Sequence, residues 1–451
     1  MLLAMKNRLD SNSGGRFILI GQFLKKALER WPTLCMFILV FTLNALRVPS
    51  GLANFWAEDG LVFYSDVINF SFPHRFFMDS GQGGYLNASG KLIAEFIKFF
   101  PIDYAPVANF ILVNAIYALI LKVIYSQLKL YFINRIFLYL LMGFIAAVPI
   151  ASYDSTATSI NLHFFLIFAS FIILMTDGIK PTLLKHLIII IACLSDPLML
   201  LFAPAIILKI IKNKTLTNSY LYSYFISTCI QGLAIMQFFG NSSRVIDDSF
   251  NVIKASYLFM DRVIGSSLIP GWGFIDGQTI QNGGVSRELI IRLAASLLAL
   301  VFYSFVIYSS FKAIRANFSA ERINLTIYLI MTLCLYWVVT GLFFSPEPRY
   351  AIFPSLCIAT TLLLGLDINI FAVKQTQLNR FLRFTVILLF AAIFAGAFQI
   401  SSIRETNLDW RQQIEQARNE CNMKALQHVK VLVPPENHQL GVKINCVLLS
   451  K

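Results

Sequence analysis

The chain has 451 residues, 57% of them hydrophobic and only 14% charged, whereas a soluble domain carries roughly 25% charged residues. Apolar runs long enough to cross a bilayer recur from Thr33 to Gln399, which excludes an ordinary soluble enzyme and indicates an all-α polytopic membrane protein. The net charge of +13 then reads as a topology signal and calls for no nucleic-acid partner.

Residues 1–32 are rich in lysine and arginine, and Arg16–Trp31 has the pattern of an amphipathic helix lying on the inner membrane surface. No small-residue cleavage site follows a short apolar core, so this segment does not read as a removable signal peptide. Thr33–Val48 is the first expected crossing, with the N-terminus inside. An outer loop follows over 49–106. It contains NFWAEDGLVFY (Asn54–Tyr64), with adjacent acids Glu58 and Asp59, and later the Gly-rich stretch around Tyr85. Short helices over Leu61–Phe72 and Leu92–Phe100 would rest on the membrane face.

The next expected spans are Val107–Tyr125, Ile136–Ile150 and Ile160–Met175. Leu183–Lys212 is interrupted at Asp196-Pro197 and again at Pro204, and reads as two half-length helices returning to the inner side. Interrupted helices at membrane depth line cavities more often than lipid. Asp196 is read first as a helix cap and second as a site residue. Tyr220–Phe239 leads to a second large outer loop, 240–288, which carries Arg262. Leu289–Phe311, Ile323–Phe344, Tyr350–Leu366 and Phe384–Phe398 complete about eleven hydrophobic segments, N-in and C-out over 33–400. Under this topology most acids fall on the outer side, while lysines and arginines crowd the inner turns.

Residues 401–451 read as a small outer α/β module. A helix is expected around Trp410 and Ile414, with strands over Val429–Pro435 and Val442–Leu449. Cys421 and Cys446 are the cysteines outside the spans, in an oxidising compartment, and form a candidate disulfide. The seven cysteines show no metal-ligand spacing, so no metal is implied.

The unusual residues collect on the outer face. Glu58 and Asp59 offer a carboxylate base, flanked by Trp56 as a stacking surface. His74, Arg75 and Lys91 add cations in the same loop, and Arg349-Tyr350 follows two prolines at a helix start. An arginine there suits bidentate contact with a phosphate, or snorkelling to lipid headgroups.

The stretches FWAEDG, GGYLNASGKLIAEF and PEPRYAIFP together resemble the bacterial polytopic glycosyltransferases of the GT-C class, in particular the membrane glucosyltransferases that decorate O-antigen in serotype conversion. Such a resemblance implies a multi-pass enzyme of the bacterial inner membrane with its active site facing the periplasm. It would take a sugar, glucose by analogy, from a polyprenyl-phosphate carrier and transfer it with inversion to a lipopolysaccharide O-antigen or other surface polysaccharide. Its partners would be the carrier lipid, the acceptor, a carrier-charging transferase and a flippase, and it would need no further cofactor. The resemblance points to Asp59 as the base, with Glu58 orienting the acceptor or exchanging roles with it. Arg349, Lys91, Arg75 and Arg262 would hold phosphate. Lys91 stands where an arginine is expected in such sequences, which keeps the charge and loses the guanidinium fork. The competing readings are a lipid-linked saccharide flippase or other transporter, and an O-antigen polymerase.

Overall fold

The computed structural model describes residues 30–77, 84–147, 157–177, 181–213, 219–238, 252–269, 287–317, 320–342, 348–372, 408–424, 426–434 and 441–449, with scattered residues between 385 and 398. The amphipathic helix expected over 16–31 lies almost wholly outside them, and the last crossing expected over 384–398 is described only at those scattered residues. The described residues are mostly helical, with one two-stranded sheet.

Helix α1 spans Pro32–Arg47, opened by a proline where no intrahelical N–H is needed. Then come α2 (Ala88–Ile97), α3 (Ala105–Leu128), α4 (Arg135–Ala147) and α5 (Leu162–Met175). The interrupted segment is two half-helices, as its prolines require. Helix α6 (Leu183–Ser195) ends where Asp196 turns extended ahead of Pro197. A 3₁₀ turn, Pro197–Phe202, leads into α7 (Ala203–Asn213), and the two halves are bent by 115°. Next follow α8 (Ser219–Phe238) and α9 (Val252–Leu258), the latter continuing through a π-wound stretch, Phe259–Gly265. The outer loop expected over 240–288 is therefore helical where it carries Arg262. Helices α10 (Arg287–Asn317), α11 (Ala320–Leu342) and α12 (Ile352–Ala372) complete the apolar set, α12 being entered by the 3₁₀ turn Pro348–Ala351.

Among the described residues three helices are long and apolar enough to cross a membrane: Ile102–Leu128, Ile290–Tyr308 and Arg349–Ile368. The bent pair makes a fourth if it counts as one span. Of the expected eleven segments, the described residues show a mostly helical chain with these three or four candidate spans. Helices α1, α4 and α5 have 16, 13 and 14 residues, short of the roughly 20 that a straight crossing needs.

Helix α5 is buried on every side, as a sequence apolar but for His163 and Ser170, LHFFLIFASFIILM, demands. It packs between α3 and α6, with α12 against it. Phe171 of α5, Phe202 of the 3₁₀ turn and Phe353 of α12 interlock, with Phe171 and Phe202 5.0 Å apart and Phe202 and Phe353 5.5 Å apart. Helix α10 is the opposite case: Leu298, Val301 and Phe305 are 71%, 59% and 62% exposed. A contiguous apolar face of that kind is cheap in lipid and costly in water.

The helix ends sort into two polar layers. In one, Lys209 Nζ lies 2.8 Å from Asp177 Oδ1 and donates to the Leu174 carbonyl, while Asp367 accepts from the backbone of Ile133 and Asn134. These groups stand at the C-terminal ends of α3, α5, α7 and α12. The acid pair, the first turn of α5 and Arg349 form the other layer.

The C-terminal residues form α13 (Trp410–Lys424) and an antiparallel hairpin of β1 (His428–Leu432) and β2 (Gly441–Asn445). Cys421 and Cys446 are disulfide-bonded, tying α13 to the end of β2. The second expected strand stops early: Cys446–Leu449 winds into a helical turn, with Asn445 Oδ1 accepting from the Val447 amide.

This tail packs directly on the loop that carries the acids. The Trp410 indole donates to the Ile102 carbonyl at 2.7 Å and stacks edge-on against Phe55 at 5.1 Å. The Ala57 amide donates to the Pro434 carbonyl at 2.9 Å. Arg418 meets Asp103 with both arms, at 2.8 and 2.7 Å. Because that pair is partly exposed, Arg418→Ala is expected to cost only about 1 kcal/mol, read as a small fall in the thermal midpoint of the detergent-solubilised protein.

Candidate functional site

The site is built on a π-wound stretch, Asp59–Tyr64, one of two such stretches among the described residues; the other carries Arg262. Such windings cost hydrogen-bond geometry and recur at functional sites. The turn leading into it is closed by Trp56, whose carbonyl accepts from the amides of Asp59 and Gly60 at 2.8 and 3.4 Å. Gly60 is needed for close approach: a Cβ there would lie 2.8 Å from Val433 of the tail and 3.0 Å from Phe55. Burial pushes the Tyr64 hydroxyl well above its ordinary range, and the Asp103 carboxylate adds to the shift. Tyr64 therefore stays protonated and supplies no base.

Adjacent residues on a helical backbone point about 100° apart, so the two acids enter different surroundings. Asp59 is 3% exposed and accepts four hydrogen bonds. Asn109 Nδ2 and the Ser159 amide donate to Oδ2 at 3.1 and 2.9 Å; the Ser159 hydroxyl and the Ile160 amide donate to Oδ1 at 2.8 and 3.1 Å. Two donors on each oxygen use up its lone pairs. A carboxylate so engaged is a poor proton acceptor and a strong structural anchor. These bonds make Asp59 an anchor between the acid loop and the start of α5, which agrees with the exchange of roles between the two acids that the resemblance allows.

Glu58 is free of that cage. Its side chain is 18% exposed, and Oε1 accepts from Arg349 Nη1 at 3.4 Å. The Arg349 guanidinium carbon lies 5.9 Å from the centre of the Tyr350 ring, which in turn packs edge-on against Phe164 of α5 at 5.6 Å. The Tyr350 carbonyl accepts from the Tyr336 hydroxyl. The site thus joins the first acid loop to the entrance of α12.

The other expected residues are distributed around this centre. Trp56 is buried and closes the turn before the π stretch; Tyr85 is half-buried, next to Leu86, whose amide donates to Gln231 of α8 at 3.4 Å. Lys91 is 5% exposed and donates to the Phe76 carbonyl at 2.9 Å, which ties α2 to the short helix His74–Phe77. The side chains of His74 and Arg75 lie outside the described residues. Arg262 is buried on the second π stretch, which packs against the 3₁₀ turn of Arg349.

Asp196 caps the 3₁₀ turn, accepting from the Leu198 amide at 2.7 Å. It has a second partner that sequence reading missed. His163 Nε2 lies 3.1 Å from Asp196 Oδ2, with both side chains 5% exposed. A histidine inside an apolar helix gives no local signal of its partner 33 positions away. Among the described residues no group of three or more His, Cys, Asp or Glu could hold a metal ion.

Compared with protein-family models, curated proteins and solved structures, the chain finds no match.

Proposed function

We propose that the protein is a polytopic inner-membrane glycosyltransferase that moves a sugar from a polyprenyl-phosphate carrier to a surface polysaccharide or O-antigen acceptor at the periplasmic face. The observation that carries this reading is the pairing of Glu58 with Arg349, 3.4 Å apart and 291 positions apart in sequence, both partly open. Inverting transfer asks for a base on one side of the anomeric carbon and charge compensation at the leaving phosphate. The disulfide Cys421–Cys446 supports the orientation, since it belongs to the same layer as the acids and such bonds persist outside the cytoplasm. Lys209 in the opposite layer agrees with an inner face.

The pair also suggests the order of events. Without donor, Arg349 holds Glu58. The donor phosphate competes for the guanidinium, a better match for its two-pronged geometry, and releases the carboxylate. Glu58 then takes the proton of the acceptor hydroxyl as that oxygen bonds to the anomeric carbon. The bond from anomeric carbon to phosphate oxygen breaks, and its electron pair leaves with the polyprenyl phosphate, held by Arg349. Lysine at 349 keeps the charge and loses the fork, so Arg349→Lys is expected to raise the donor KM about tenfold. Steady-state rates with a polyprenyl-phosphate hexose donor in detergent check this. An unchanged donor KM removes Arg349 from the phosphate site.

One observation favours a lipid-linked saccharide transporter instead: the buried His163–Asp196 pair beside a broken helix is the kind of ionisable group that lines a transport path.

A further inference from the structure

The interrupted helix and the acid loop are held together by one chain of polar contacts. Asp59 Oδ1 accepts from the Ile160 amide at 3.1 Å. The carbonyl of the same Ile160 faces His163 Nδ1 within hydrogen-bond distance. A carbonyl only accepts, so Nδ1 carries the proton, and the contact of Nε2 with the Asp196 carboxyl oxygen holds only with a second proton, on Nε2 or on Oδ2. His163 Nε2 then reaches Asp196 Oδ2 at 3.1 Å, and Asp196 Oδ1 accepts from the Leu198 amide at 2.7 Å, the first turn beyond the break. On the far side of the break, Ser195 Oγ accepts from the Ser89 amide at 2.9 Å, which brings in α2, the helix of Lys91. The His163 ring also packs at a tilt against Phe164, ring centres 4.0 Å apart, and Phe164 meets the Tyr350 ring.

We infer that His163 is a positioning residue: through Asp196 it latches the break between α6 and α7 to the Asp59 anchor, so that the broken helix and the Glu58–Arg349 pair keep a fixed relation. The inference rests on the glycosyl-transfer reading for its consequence, because the latch would then align the donor lipid with the base. The physical basis is the cost of burial. A carboxylate and an imidazole, each 5% exposed in an apolar core, persist there only when paired, so the pair favours one register of the break over others.

The test compares three full-length variants reconstituted in vesicles. His163→Phe preserves ring volume and loses both nitrogens. His163→Gln keeps a polar group that can reach Asp196. The double variant His163→Phe/Asp196→Asn also lacks the link but leaves no lone buried charge and keeps the cap on Leu198, so it accumulates if the single Phe variant does not. Amide hydrogen exchange of the peptide covering 195–202 is read against that of α12 as an internal standard. Exchange about tenfold faster in the Phe-containing variants, with His163→Gln within about threefold of wild type, is the expected result. Wild-type exchange in the double variant, or equal acceleration in His163→Gln, overturns the latch.

Kinetics supply the second readout. The double variant is expected to raise the donor KM about tenfold while kcat stays within about threefold. Faster exchange with an unchanged donor KM overturns the positioning role. If wild type transfers no sugar, the glycosyl-transfer reading has failed, and the exchange data still decide the latch.

Discussion

Glu58→Gln is expected to lower kcat about a thousandfold, in the range that loss of a positioned general base produces, while the protein accumulates in the membrane at wild-type levels. The side chain is partly open and its partner in the structure is Arg349. Glutamine keeps the shape and still accepts from the guanidinium, so folding is little disturbed. What it loses is the capacity to take a proton. Transfer measured per correctly inserted molecule, at saturating donor, separates the two effects. A Gln variant with more than about a tenth of wild-type activity would remove Glu58 from the base role.

Asp59→Ala is expected to fail in the opposite way, by loss of folded protein. The substitution strands the amides of Ser159 and Ile160, the Asn109 carboxamide and the Ser159 hydroxyl in a buried site. Leaving several buried donors without an acceptor costs about 3 kcal/mol or more. Asn at 59 is no gentle substitute, because its amide nitrogen would face groups that themselves donate. The expected result is a sharply reduced monodisperse fraction by size exclusion in mild detergent, for Asp59→Ala and to a lesser degree Asp59→Asn. If Asp59→Ala folds normally and only activity is lost, Asp59 belongs in the chemistry and the present division of labour is wrong.

The contrast between these neighbours shows what the sequence could convey. The acid pair was legible as a feature, because two carboxylates beside Trp56 and Gly60 after an apolar segment stand out. Which acid is left open to Arg349 was not. That depends on Asn109 and Ser159, which are 50 and 100 positions away, and on the turn between adjacent helical residues. The broken helix was legible from Asp196-Pro197, since proline constrains its own torsion and that of the residue before it. His163 was invisible because its partner comes from another helix. The helix and the first strand of the tail followed from local periodicity, as did the pairing of Cys421 with Cys446 from their placement. Docking of the tail onto the acid loop did not follow, because Trp410 and Arg418 reach Ile102 and Asp103 across more than three hundred positions.

The long helices were legible from apolar length alone, and the burial of α5 on every side agrees with a sequence in which only His163 and Ser170 are polar. The number of crossings was less so. Helices of 13 to 16 residues satisfy the same apolar pattern as full spans but fall short of them in length.

The most direct test of the account places wild-type protein and Glu58→Gln in vesicles with a polyprenyl-phosphate hexose donor and an O-antigen acceptor, and follows the acceptor by mass. The account predicts an added hexose and release of polyprenyl phosphate with wild type, and neither with Glu58→Gln. Movement of the donor across the bilayer without any new glycosidic bond, or equal transfer by both proteins, would contradict it.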